Sequence, residues 1–394
     1  MRRSLRALAA TLAVSGTLGL ATAVAAAPAP AVRTVAGTGG AGSLSAPSGI
    51  ALDSAGDLFI ADTDHCRVVL VPKHAGTLYG LRVEAGHEVS LAGGSCGVKG
   101  SLGSPTGVAV DQRGDVYVAE ASDQRVQMIR PGGHAPITVV GTGVAGSSAD
   151  GQPGTQSQLN HPSGVAVDRA GSLYIADTAN CRVRVMPAAD GTYFGRTMLA
   201  QHLYTIAGTG VCGSAQRSGT AAAAQLWNPL AVTLDRQGDL FIADSGDQSI
   251  LEVPVQNGTD YGSTIAAGGI GTVVGQGSNG PYFGDGLPAN GDTAELNDPE
   301  GIAVNAAGTL FMTDGSQHCI RVVPDATATV FGRAMQAGDL YTLAGALPVA
   351  NSTGLGNGTR WVLTHMGVPV GLAVSASDSV LYSDRGTHAV SEIG

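Results

Sequence analysis

The stretch HPSGVAVDRAGSLYIADTANCRVRVMP, residues 161–187, carries the pattern from which the fold can be predicted, because six copies of that pattern occur along the chain. The first four copies hold a short run of small residues, an Asp-x-x-Gly turn, an apolar run closed by an acid, and an alternating run that ends near a proline; copy five has Asn305 for the turn Asp, and copy six has Ser375 and Asp378 for the turn Asp and Gly and lacks the proline. These runs predict three short antiparallel strands joined by tight turns. The copies cover residues 44–72, 102–131, 159–187, 226–254, 296–324 and, in a worn form, 368–393.

A fourth strand is predicted after each of the first five copies, at residues 89–94, 137–143, 203–210, 271–277 and 340–346. Copy six ends at the C-terminus with no room for a fourth strand. The segment VRTVAGTG at 32–39 precedes copy one and has no blade of its own. We therefore predict an all-β fold, a six-bladed β-propeller of four-stranded blades, with the N-terminal strand completing the last blade and closing the ring.

The N-terminal segment has the features of a secretory signal. Three arginines are followed by an apolar run and by Ala-Val-Ala at residues 23–25. We expect residues 1–27 to be a cleaved signal peptide, a membrane anchor being the alternative, and residues 28–394 to form a single propeller domain. These features predict a secreted or extracytoplasmic protein.

The repeated residues resemble the NHL-repeat family, whose domains are six-bladed propellers. The pattern is Pro-x-Gly-[Val/Ile]-Ala-Val-Asp-x-x-Gly-x-Leu-[Phe/Tyr]-[Ile/Val]-Ala-Asp, and copies one, two, three and five follow it almost fully. Copy four has Ala231 in place of the glycine, and the Asn-His-Leu tripeptide that names the family is absent. The segments at 191–210 and 331–345 look like those of secreted bacterial NHL proteins. The resemblance implies a binding or scaffold module, with an enzyme as the alternative.

The cysteines also follow the repeat. Cys66 and Cys181 both start a third strand, and Cys96 and Cys212 both follow a fourth strand. Since strands three and four are antiparallel neighbours, we predict the disulfides Cys66–Cys96 and Cys181–Cys212, as in an oxidising compartment. The alternative is five unpaired thiols. Cys319 has no matching partner and is expected to be buried.

Six acids, one per copy, end the second strands. A ring of carboxylates could hold a metal, but one acid per repeat favours a structural role in which the side chain bonds the turn backbone. The acids are Asp62, Glu120, Asp177, Asp244, Asp314 and Asp384.

Two histidines are placed by the pattern near the axis on one face, His161 before an inner strand and His365 in the loop feeding copy six. Propellers that resemble this one include peptide-amidating lyases with His-bound zinc and gluconolactonases with a carboxylate-rich centre, to which Asp298 and Glu300 could correspond. No third histidine stands at an equivalent position, so we predict no metal, no cofactor and no catalytic residues. The alternative is a propeller lyase or lactone hydrolase with a metal near the axis.

Long loops before copies three to six carry exposed aromatic candidates for recognition of a protein, peptide or glycan. The alternative is that each tryptophan fills a gap between blades. A net charge of −10 and the lack of a basic stripe argue against nucleic acid. No later stretch is long enough to span a membrane, and we expect a monomer. The candidate binding residues are Trp227, Trp361, Tyr282, Phe283, His161, His365 and Glu300.

Overall fold

Six antiparallel sheets surround a central axis in the computed structural model. We number the blades 1 to 6 in the order of the sequence copies. The structure describes residues 31–37, 43–98, 101–133, 135–214, 219–275, 285–291, 294–345 and 366–394.

The blades repeat one order of four strands, from the axis outward. The inner strands are Pro47–Leu52, Pro105–Val110, Pro162–Val167, Pro229–Leu234, Ile302–Val304 and Pro369–Val374. The second strands are Leu58–Asp62, Val116–Glu120, Leu173–Asp177, Leu240–Asp244, Leu310–Asp314 and Val380–Asp384. The third strands are Arg67–Val71, Arg125–Ile129, Arg182–Met186, Ser249–Val253, Cys319–Val323 and Ala389–Ile393. The outer strands are Val89–Gly93, Ile137–Val140, His202–Ala207, Gly271–Val274, Asp339–Gly345 and, in blade 6, Val32–Ala36. Short 3-10 turns lie at Thr63–His65, Gly154–Gln156, Thr178–Asn180, Ala221–Ala223 and Ser245–Asp247.

Crowding at the axis explains the glycine in the inner strand. A Cβ added to Gly164 would lie 2.5 Å from the carbonyl oxygen of Leu230 in the next blade, closer than van der Waals contact allows. Ser163 and Thr178 reach the same neighbouring strand, because their hydroxyls donate to the carbonyls of Leu230 at 2.7 Å and Pro229 at 2.8 Å. The inner strands are therefore joined by side-chain hydrogen bonds and by close backbone approach.

The N-terminal strand closes the ring, as the repeat count predicted. Val32–Ala36 pairs antiparallel with Ala389–Ile393, in a sheet that otherwise holds only C-terminal strands. Ala31 and Gly394 exchange two backbone hydrogen bonds of 3.0 and 3.1 Å. No strand edge is left open between the first blade and the last.

Four blades carry a two-stranded hairpin between strands three and four, which the sequence pattern did not resolve as separate sheets. Tyr79, Phe194 and Tyr261 of these hairpins pack edge-to-face on rings of their own blades, with centroid separations of 5.6–6.4 Å. The rings of these three hairpin aromatics therefore pack on their own blades. The hairpin strands are Gly76–Leu78 with Leu81–Val83, Gly191–Tyr193 with Arg196–Met198, Gly258–Asp260 with Ser263–Ile265, and Ala328–Val330 with Arg333–Met335.

Two of the long loops extend along the outer edges of their blades. The loop before blade 3 runs down its outer edge and adds a fifth strand, Gln152–Pro153, and Leu287–Pro288 does the same in blade 5. Asp150 holds the first loop in place, since its carboxylate accepts hydrogen bonds from Arg196 at 2.9 Å and from the backbone N–H of Thr205 at 2.9 Å.

Both predicted disulfides, Cys66–Cys96 and Cys181–Cys212, are present. Cys319 is the remaining cysteine, and it is buried and unpaired. Two disulfides suit an oxidising compartment. The described residues include no helix long and apolar enough to cross a bilayer.

Candidate functional site

The propeller has two ends, which differ in composition. We call the upper face the end where the inner strands begin, next to the turns that join second and third strands. The lower face is the opposite end, formed by the Asp-x-x-Gly turns and the hairpins. Of the sequence-based candidates for binding, the three that the structure describes, Trp227, His161 and Glu300, belong to the upper face.

The six acids at the ends of the second strands are structural, as expected. Each accepts a backbone N–H from the loop that enters its own blade, at 2.6–3.0 Å. Three of them also pair with an arginine of the third strand, as Asp177 does with Arg182 at 3.2 Å. Burial raises the pKa of Asp177 and raises that of Asp314 to about 7. These carboxylates therefore hold the loops of the upper face in place. The N–H donors are those of Ser45, Gly103, Asn160, Trp227, Asn297 and Gly367.

Trp227 is presented to solvent on this face. Its side chain is among the most exposed large hydrophobic groups of the described residues, with 52% of the residue accessible. Its backbone is fixed, because its N–H donates to Asp244 at 2.8 Å and its carbonyl accepts from Gly246 at 2.8 Å. A Cβ on Gly246 would come within 2.7 Å of the indole Cγ, so the glycine makes room for the ring. The ring therefore does not fill a gap between blades.

His161 is exposed and sits in a left-handed backbone conformation with a φ of 54°. Its N–H donates to the Gln124 side chain of blade 2 at 2.6 Å. The same contact recurs between blades 6 and 1, where the N–H of Ala46 donates to Nδ1 of His388 at 3.0 Å. Since Nδ1 of His388 accepts there, Nε2 carries its proton in the neutral ring. The backbone of His161 is thus part of a blade-to-blade contact, and its imidazole is left facing solvent.

Glu300 lies in a pair that spans two blades near the axis. Its Oε2 accepts a hydrogen bond from Nη2 of Arg385 in blade 6 at 3.0 Å. Burial raises the pKa of Glu300, while Arg385 opposes that shift and Asp298 adds to it. Asp298 itself accepts a hydrogen bond from the Ser245 hydroxyl at 2.5 Å. At this end of the axis, blades 4, 5 and 6 thus present charged and polar side chains. At the corresponding positions, blades 1 and 3 present a serine and a threonine whose hydroxyls are hydrogen-bonded to each other.

Among the described candidates, His161 and Glu300 lie on the same face but are fixed by contacts with different blades. His161 is held by blade 2, whereas Glu300 is held by blade 6. Three donors for a metal are not assembled at the axis by the residues that the structure describes. The other candidates, Trp361, Tyr282, Phe283 and His365, lie outside the described residues.

A cavity of about 510 Å³ opens on the lower face, at the turns of blades 3 to 6. Apolar residues such as Leu234 and Val374 line it, and Arg169 and Arg236 stand at its rim. The sequence analysis proposed no site at this end. The sequence pattern predicted each of these turns, but only the closed ring of blades brings them together around one cavity.

Within the described part of the chain, the geometry for metal ligation is met by one group of carboxylates, Asp239, Glu252 and Asp260. The group lies at the lower end of blade 4. Sequence reasoning missed it because Glu252 and Asp260 fall at positions where the consensus is apolar. Comparison of the copies one by one would have found it.

Three segments of the chain, residues 44–69, 102–128 and 159–186, match the family profile described as the NHL repeat. They form the cores of blades 1 to 3. The chain therefore contains NHL repeats within a six-bladed propeller, and this supports the resemblance read from the sequence.

Among known proteins, Protein SUPPRESSOR OF QUENCHING 1, chloroplastic, of Arabidopsis thaliana is 28% identical over 158 residues, which cover 38% of this chain and 14% of that protein. An auxiliary nutrient binding protein from Bacteroides thetaiotaomicron VPI-5482 is similar in structure, with 14% identity, 92% and 76% of the two chains covered, and a TM-score of 0.56. A gluconolactonase from Xanthomonas campestris shows 14% identity, 94% and 92% coverage, and a TM-score of 0.54. A streptogramin B lyase shows 11% identity, 94% and 99% coverage, and a TM-score of 0.50. Likeness at these identities shows the fold alone.

Proposed function

We propose that this NHL-repeat propeller is a secreted binding or scaffold module that holds a protein, peptide or glycan on its upper face. The observation that carries the proposal is the exposure of Trp227 on a backbone fixed at both its N–H and its carbonyl. Secretion is supported by the two disulfides. The signal peptide predicted at residues 1–27 lies outside the described residues.

An exposed indole on a rigid backbone suits recognition for two reasons. A tryptophan offers a large apolar surface and one N–H donor, so it can stack on a sugar ring or a peptide side chain. Little conformational entropy is lost on binding, because the backbone around Trp227 is already ordered. Loops placed on a rigid scaffold are the usual location of binding residues.

The test uses the mature chain on a glycan array and a peptide display library, with Trp227→Ala and Trp227→Phe beside the wild type. Removing an aromatic anchor costs about 2 kcal/mol or more, which corresponds to a loss of affinity of roughly 30-fold. We expect Trp227→Ala to show that loss and Trp227→Phe to keep most of the affinity. Val211→Ala is the matched control, since Val211 is also an exposed apolar side chain, with 59% accessible.

Two results would count against the proposal. Equal binding by Trp227→Ala and the wild type would move the site away from this ring. Absence of any glycan or peptide ligand in both screens would refute the binding function in the form stated.

A second function, lactone hydrolysis or a lyase reaction, is favoured by one observation, the Glu300 carboxyl, which is 11% exposed and whose pKa is raised by partial burial and by Asp298. A carboxyl whose pKa is raised by burial keeps its proton to higher pH than an exposed one, which suits a general acid. The described residues at the axis do not fit a three-donor metal site, so this alternative rests on the carboxyls. Turnover of glucono-δ-lactone or a streptogramin B by the wild type, lost in Glu300→Gln, would support it, and no turnover of either substrate would count against it.

A further inference from the structure

In blades 1, 3 and 5 the third strand and the hairpin carry apolar residues at two corresponding positions, which join the same hydrophobic cluster. The pairs are Leu70 with Leu78, Val185 with Tyr193, and Val322 with Val330, and each lies in or against a hydrophobic cluster. In blade 4 the same two positions are Glu252 and Asp260. Both members of one contact have therefore changed from apolar residues to acids.

The two acids converge with a third. One carboxylate oxygen each from Asp239, Glu252 and Asp260 lies within 4.8 Å of the others. Glu252 is 1% exposed and Asp239 is 8% exposed. The Oε2 atom of Glu252 has no hydrogen-bond partner, although the carboxyl points into this cluster.

Among the described residues, no cationic side chain forms an ion pair with these groups. The charges that act on Glu252 come from Asp260, Asp239 and Asp235, and Asp325 of blade 5 acts on Asp260. Burial and these neighbours raise the pKa of Glu252 to about 8 and that of Asp239 to about 6. Buried, uncompensated carboxylates are costly, so either protons or a bound cation must neutralise them.

We propose that Asp239, Glu252 and Asp260 bind a hard divalent cation, of which Ca²⁺ is the best fit, at the lower end of blade 4. All the donors are oxygens, which Ca²⁺ prefers, and the three carboxylates supply part of the six to eight oxygen ligands it takes, with water free to complete the shell. Soft or nitrogen-preferring metals find no suitable donor among these three side chains. Oε2 of Glu252, which is buried and accepts no hydrogen bond, is the oxygen expected to bind the cation.

The bound cation joins the hairpin to its blade and, through the hairpin, to the next blade. Tyr261, next to Asp260, donates its N–H to Asp325 at 3.3 Å and its hydroxyl to the carbonyl of Gly308 at 2.5 Å. Both acceptors belong to blade 5. Neutralising Asp260 therefore stabilises the contact between blades 4 and 5, which the apolar pairs of other blades maintain without an ion.

The experiment titrates the metal-free mature protein, freed of divalent ions with EDTA and dialysed, with CaCl₂ by isothermal titration calorimetry and by thermal unfolding. We expect about one equivalent of Ca²⁺ to bind and the unfolding midpoint to rise by about 3 °C at a large excess of Ca²⁺. The decisive variant is Glu252→Leu with Asp260→Leu, which restores the apolar pair of blade 1. It should lose both calcium responses, and its calcium-free midpoint should equal or exceed that of the metal-free wild type.

The matched control removes two charges elsewhere, with Glu84→Gln and Asp190→Asn in the hairpins of blades 1 and 3. It should bind Ca²⁺ like the wild type. A wild type that binds neither Ca²⁺ nor Mg²⁺ at 5 mM would overturn the proposal and leave a shared proton as the compensation. A calcium response that persists in the Leu pair would overturn it as well. If the Leu pair does not fold, Glu252→Gln gives the same test with an isosteric change.

Discussion

Glu252 should make the metal-free protein less stable as the pH rises, in contrast to a carboxyl that is paired with a cation. Its pKa is raised from 4.5 to about 8 in the folded state. A group with a raised folded pKa contributes stability that is fully present below the unfolded value, about 4.5, and that is lost as the pH rises through about 8. At 1.36 kcal/mol per unit, the free energy of unfolding falls by about 1 kcal/mol at pH 5 and by about 4 kcal/mol at pH 8, because the unfolded chain loses this proton more readily than the folded one.

The assay is urea denaturation of the mature protein in EDTA at pH 5 and pH 8, with Glu252→Gln beside the wild type. The amide is neutral at every pH, so the variant should match the wild type within about 1 kcal/mol at pH 5. At pH 8 it should be more stable by about 4 kcal/mol, an upper value because a relaxed cluster admits water. Ca²⁺ added at pH 8 should close most of this gap by stabilising the wild type alone.

The control for this experiment is Glu84→Gln, which removes a carboxylate that is 82% exposed. Its stability should follow that of the wild type at both pH values. Parallel behaviour of Glu252→Gln and the wild type from pH 5 to pH 8 would refute the reasoning, because it would mean that the Glu252 carboxyl is not desolvated in the folded state.

Two further predictions concern the scaffold. Each disulfide closes a loop of 30 or 31 residues, so Cys66→Ser with Cys96→Ser, or Cys181→Ser with Cys212→Ser, should each lower the free energy of unfolding by about 3–4 kcal/mol in urea. Thiol titration of the unfolded, unreduced chain should find the single thiol of Cys319, and more than one would contradict the pairing. Gly164→Ala should cost about 1–3 kcal/mol by thermal unfolding, because the added methyl meets the Leu230 carbonyl, whereas Gly76→Ala, with nothing within 4 Å of its Cβ, should cost less than half as much. Equal costs at the two glycines would mean that the axis is not crowded.

The repeat predicted most of the fold because the same residue type is needed, for the same physical reason, at the same position of several blades. The inner-strand glycine, the acid that accepts the loop N–H and the half-cystines of blades 1 and 3 all follow this logic. Ring closure could also be predicted, because blade 6 lacked a fourth strand and the N-terminal strand had no blade of its own.

What the repeat could not predict lies where one copy departs from the others or where a loop has no counterpart. The fifth strand at Gln152–Pro153 depends on Asp150, whose partners are brought near it only by the fold. Glu252 and Asp260 stand at positions where blades 1, 3 and 5 have apolar residues, so the consensus gives no sign of their contact. On the upper face, Trp227 was recognised as a candidate, but its exposure could not be known before the position of Gly246 was seen.

The strand that closes the ring also determines how the molecule responds to force. Ala31 and Gly394 are hydrogen-bonded neighbours at the same end of an antiparallel pair. Pulling the two chain ends apart would load these bonds one after another, as in a zipper, rather than all together in shear. The closure that protects the propeller at rest is therefore its mechanically weakest contact when it is pulled by its ends, and unfolding under tension should begin by peeling Val32–Ala36 from blade 6.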